Sequence, residues 1–167
     1  MIIQGTIPFT SVNIPEDSAL SRCAMFTTQK WRDEDGHIIH KSLSLFAAWE
    51  KDHPIPFWKE RSFNLYVLYQ ETISVAVSKP LLGTTATVIF LRMDRILLLY
   101  PHPICFAIVL EELCHAYYMI QDEHQVKELV IQILHLEWPH ICLHDLYPRL
   151  FDQQGNRLDP RSNTTSH

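Results

Sequence analysis

Glycine is scarce in this chain, with four in 167 residues. A phosphate-binding loop or a dinucleotide fingerprint needs closely spaced glycines that let the backbone approach a ligand, and neither pattern occurs. Gly-x-Ser-x-Gly is also absent, which excludes a nucleophile-elbow hydrolase. Cysteine is limited to Cys23, Cys105, Cys114 and Cys142. None forms a C-x-x-C pair, so zinc-ribbon and thioredoxin-type sites are excluded. Read on one helix, Cys105 and Cys114 lie too far apart to bridge, and reduced, buried thiols are expected. Basic charge is in deficit, with 14 Lys and Arg against 19 Asp and Glu, a net charge of −5. Neither a general nucleic-acid binder nor strong attraction to an anionic membrane is expected. Long apolar runs are missing too. The most apolar stretch, Thr85 to Tyr100, is interrupted by Arg92, Asp94 and Arg95. Met1 to Gly5 has no basic start, the sequon Asn163-Thr164-Thr165 stands in a polar stretch, and a cytoplasmic address is expected.

Hydrophobic residues make up 47% and charged residues 20%, the composition of an ordinary globular protein. The length suits one domain, expected over residues 1–150, followed by a polar, flexible tail over 151–167.

Residues 1–40 read as irregular, with a short extended piece at Cys23 to Thr28 and a turn at Asp33-Glu34-Asp35-Gly36. Lys41 to Asp52 reads as a helix, because Leu45, Ala48 and Trp49 fall at helical spacing and Pro54 and Pro56 follow. Ser62 to Gln70 reads as a strand with large side chains on both faces, so both faces are expected to be covered. Ile73 to Ser78, Thr85 to Leu91 and Arg95 to Tyr100 read as further strands, the last two around a turn at Met93-Asp94. Four strands in succession predict a small antiparallel sheet packed by two to three helices, an α+β fold.

The strongest helical pattern follows Pro101 and Pro103. Phe106, Leu110, Leu113, Tyr117 and Ile120 trace one continuous apolar face. After Gln121, Asp122 is the expected N-cap of a second helix over about residues 124–137, with Val126, Leu129, Val130 and Ile133 facing the core.

The first of these helices carries Leu110-Glu111-Glu112-Leu113-Cys114-His115. Residues four apart share a helix face, so Glu111 and His115 can hold one ion between them, with Glu112 beside them to polarise a bound water. This stretch resembles the active helix of zincin metallopeptidases of the ImmA/IrrE-type gluzincin group, whose pattern is His-Glu-x-x-His. The likeness covers the element order of about residues 41–137, but at motif level only Glu111 to His115, with Glu111 in place of the first histidine. It implies zinc or a harder divalent ion on Glu111 and His115, with Glu112 as general base in peptide or amide hydrolysis. It also implies a third, acidic ligand from the second helix. Glu128 lies level with His115 if the helices fold back at residues 121–122 but points away from the core face. The family's position falls nearer Glu123 or Gln125, and His124 is a further option.

Other readings stand beside this one. Charge opposite an apolar helix face ordinarily serves solvation, although Ile104, Ile108 and Met119 share that side and imply that something packs there. Glu112-x-x-His115 has the spacing of a di-iron helix, but only one copy exists. His135, His140 and His144, with Cys142 and Asp145, form a histidine-dense stretch that offers a second metal candidate. The aromatics Trp31, Trp49, Phe57, Trp58, Tyr66, Tyr69, Tyr117, Tyr118 and Trp138 are numerous. If exposed, they would anchor a peptide or protein partner or a homo-oligomer, and the protein would be a non-catalytic interaction module.

Overall fold

The computed structural model describes residues 2–3, 6–9, 18–29, 32–55, 63–69, 75–76 and 87–150. The polar stretch 151–167, Trp31, Phe57 and Trp58 lie outside the described residues. The fold is α+β, as the sequence predicts. Among the described residues, six strands, β1 (Ile2–Ile3), β2 (Ile7–Pro8), β3 (Ala24–Thr27), β4 (Phe63–Leu68), β5 (Val75–Ala76) and β6 (Thr87–Arg92), accompany five α-helices. The helices are α1 (Asp33–Asp52), α2 (Met93–Leu99), α3 (His102–Tyr118), α4 (Glu123–Leu134) and α5 (Leu143–Leu146).

The main sheet runs in the order β2-β3-β4-β6 and is mixed, not wholly antiparallel. β3, β4 and β6 are mutually parallel, and only β2 runs against its neighbour. The physical reason is the connection between β3 and β4. A helix of 20 residues, α1, lies between them, and a crossover of that kind returns the chain parallel to its start. β5 pairs with β1 in a separate ribbon instead of joining β4.

β4 is an inner strand covered on both faces, as its composition predicts. On one side Phe63, Leu65 and Val67 join the main core beneath the helices. On the other, Phe26, Tyr66 and Phe90 stand in register across β3, β4 and β6, with centroids 4.8 and 5.6 Å apart. Of the aromatics singled out above, Tyr66 and Tyr117 are buried, and Trp49, Tyr69, Tyr118 and Trp138 are half-buried.

α1 starts earlier than its apolar spacing indicates and absorbs the expected turn at 33–36. Asp33, Glu34 and Asp35 occupy its first turn, where carboxylates complement the helix dipole. Buried Asp35 also accepts two hydrogen bonds from the Arg32 guanidinium, at 3.1 and 3.2 Å. Residues 1–40 therefore carry strands and a helix start. Residues 95–99 of the segment expected as a strand belong to α2, and Tyr100 follows it as C-cap. Its Ile-Leu-Leu-Leu run fits either structure, and Met93 and Ile96 bury one turn apart. α3 packs against α1, α4 and β6, and its Phe106, Leu110, Leu113 and Tyr117 fill the core.

Candidate functional site

α3 begins behind Pro101 and Pro103, which preset the first turn. It ends at Met119, whose φ of 56° places it in the left-handed region. The chain turns there, and α4 leaves at 114° to α3. Asp122 caps α4 as expected, accepting from the backbone N–H groups of His124 at 2.8 Å and Gln125 at 3.1 Å. Those bonds hold its carboxyl below the usual range.

The polar side of α3 is only partly open to water. Glu111 and His115 are half-buried, whereas Glu112, next in sequence, is exposed. The His115 ring is engaged at both nitrogens. Nδ1 is 2.6 Å from the Ile120 carbonyl, and Nε2 is 3.4 Å from Oε1 of Glu123. The other oxygen of Glu123 meets Lys127 Nζ at 2.8 Å, and this ammonium holds the Glu123 carboxyl below its ordinary range. Lys127 Nζ also lies 5.5 Å over the ring of Tyr147, just past α5.

Glu111 is the buried end of this group. Its Oε1 makes no hydrogen bond, and the Tyr147 hydroxyl faces the carboxyl without closing one. Burial pushes the Glu111 carboxyl up, and the charges of Glu123 and Glu112 add to this, while Tyr147 and the Lys127 ammonium oppose it. The same burial, with the Glu111 charge, raises the Cys114 thiol well above its ordinary value. A thiol held protonated in this way is a poor nucleophile.

The structure thus forms a polar group in which Glu123 meets His115, with Glu111 one turn back on the same face of α3. Glu128 is not part of it and sits exposed further along α4. The helix face explains the choice: Val126 and Val130 turn the buried side of α4 inwards, and Glu128 lies on the opposite, exposed side. Among the described residues, no three His, Cys, Asp or Glu side chains converge to hold a metal ion. Lys127 Nζ, 2.8 Å from Glu123, already pairs with one of the carboxylates that the resemblance would offer an ion.

The histidine-dense stretch does not converge either. His135 Nε2 is 2.8 Å from the Ile141 carbonyl, His144 is exposed on α5, and His140 turns to a different feature. That feature is a cavity of about 490 Å³ at the start of α3, lined by His102, Pro103, Phe106, Trp138, His140 and Ile141. The sequence pattern missed it, because its two walls are far apart in the chain. The only cue was Trp138 beside Pro139 and His140, just past a helix end.

The chain matches no protein-family model, and no curated protein or solved structure is significantly similar to it. Among the described residues, no single helix is long and apolar enough to cross a membrane.

Proposed function

We propose that this chain is a zincin-like α+β domain that binds a peptide or protein partner without hydrolysing it. In this reading Lys127 stands where the resemblance calls for a metal ion. The position of Lys127 carries the proposal. Its ammonium pairs with Glu123 at 2.8 Å, so a side chain of the protein itself already engages the carboxylate that α4 brings to His115. An ammonium is no Lewis acid and does not bring a bound water to the pKa that Glu112 would need as a base. Leu98, Tyr100 and Leu136 are large apolar side chains left exposed, the kind of group that anchors a partner.

The test is zinc and manganese content of protein purified without chelator, measured for the wild type, His115→Ala and Lys127→Met, with cleavage of unstructured peptides followed in parallel. The reading expects no stoichiometric metal and no cleavage in the wild type. Near-stoichiometric metal that disappears in His115→Ala would overturn it and favour a metal-dependent hydrolase using Glu111, His115, Glu123 and Glu112.

A further inference from the structure

The cavity at the start of α3 is independent of the polar group at its other end. His102 lies about 20 Å from His115 along the helix axis. The cavity's volume, about 490 Å³, falls within the range of small-molecule sites. The rings of Phe106 and Trp138, 5.1 Å apart, are in contact, so the open space lies beside the pair and not between them. Both rings are held from behind. Phe106 is buried in the core, His37 meets its edge at 5.9 Å, and Trp138 packs against the same core. With Pro103 and Ile141 they give a lining that is almost wholly apolar.

The polar groups beside the cavity are already served. His102 is held by Glu34, Nε2 to Oε1 at 2.7 Å. Lys41, 6.0 Å over the Trp138 ring, is held by Glu137 at 2.8 Å. His140 is exposed, so water satisfies its ring without a guest. A charged guest would give up hydration here and meet side chains that are already paired, which is costly. A neutral apolar guest gives up no such hydration. It also displaces water that apolar walls cannot hydrogen-bond, and that release favours binding.

We infer that this cavity binds a small, neutral, apolar molecule, seated against Phe106, Trp138, Pro103 and Ile141. The probe is phenylnaphthylamine, a neutral aromatic, titrated by fluorescence into the full chain, with anilinonaphthalene sulfonate as its charged counterpart. The expected result is one neutral probe per chain, bound at least as tightly as the sulfonate. Ile141→Asp sets a carboxylate in the wall and should weaken the neutral probe about tenfold, roughly what one lost apolar contact costs. Pro103→Glu does the same from α3. A carboxylate in the first turn of a helix complements its dipole, so this variant keeps the test readable even if Ile141→Asp folds poorly. His140→Ala should change the affinity by less than about twofold, because the guest needs nothing from that ring. No binding, unchanged binding in folded Pro103→Glu, or a sulfonate bound more tightly than the neutral probe would overturn the inference. So would chains that pair in light scattering and release the probe as they pair, which would make a second copy the occupant. None of these outcomes bears on metal content, so this inference and the reading of Lys127 can fail separately.

Discussion

The phenol of Tyr117 on α3 donates to the Glu50 carboxylate on α1 at 3.0 Å, tying the two longest helices through one buried charge. The other oxygen of Glu50 accepts from the Ser18 hydroxyl at 2.8 Å, so the same carboxylate also anchors the segment before β3. Burying a carboxylate is costly unless hydrogen bonds satisfy it, and here they come from separate parts of the chain. Tyr117→Phe removes one bond and keeps the ring against Phe46. The expected loss is about 2 kcal/mol, read by urea unfolding. A loss below about 0.5 kcal/mol would show that the bond is not a tie.

Glu111 gives a pH signature. Its carboxyl is pushed above its ordinary value of 4.5, so the folded state holds that proton more tightly than the unfolded state. Ionisation of Glu111 as pH rises through its folded value therefore costs stability. The cost is complete above the folded value and vanishes below the ordinary one. Glu111→Gln should stabilise the protein by about 1 kcal/mol at neutral pH, and the gain should disappear as pH falls towards 4.5. Urea unfolding of both proteins across that range checks this. A variant less stable at neutral pH would contradict it.

Lys127 and Glu111 should be coupled. Lys127→Met leaves Glu111 without its nearby cation and should cost about 1–2 kcal/mol. In the Glu111→Gln background the same change should cost clearly less. A double-mutant cycle reads the difference, and strict additivity would show that the ammonium does not serve Glu111.

Met119 is the one non-glycine residue with positive φ among the described residues. A side chain at φ 56° costs about 1 kcal/mol that glycine avoids. Met119 is exposed, so no buried contact offsets the change. Met119→Gly should raise the thermal midpoint by a few degrees, measured by circular dichroism.

Where local spacing decides structure, the sequence was legible. The +4, +3 pattern from Phe106 to Tyr117 marks α3, and Asp122 marks the start of α4. Both follow from contacts within a turn or two of chain. The direction of the strands was not legible, because β4 chooses its partners from distant segments and its own residues do not say which. The stretch after β6 was ambiguous for a related reason. A run of leucines buries as readily in a helix as in a strand, and the site it packs against decides. In the polar group, the shared face of Glu111 and His115 was legible from their spacing. That Glu123 meets His115 depended on how the chain turns between the two helices, which their own spacing does not state, whereas Glu128 stays on the exposed face of α4.

The parallel pairing of β3 with β4 also governs how the molecule is made. Ala24 meets Asn64, and Phe63 meets Thr87, so neither central ladder can close until a long intervening segment has been synthesised. Closing such distant pairs is slow compared with forming helices. During synthesis, α1 will be complete while β3 still lacks β4, the partner that covers its inner edge. For that interval the apolar groups of α1 and β3 depend on the speed of the ribosome or the attention of a chaperone. A deletion that removes β3 therefore takes away more than a short strand, because it removes the template on which the rest of the sheet is laid.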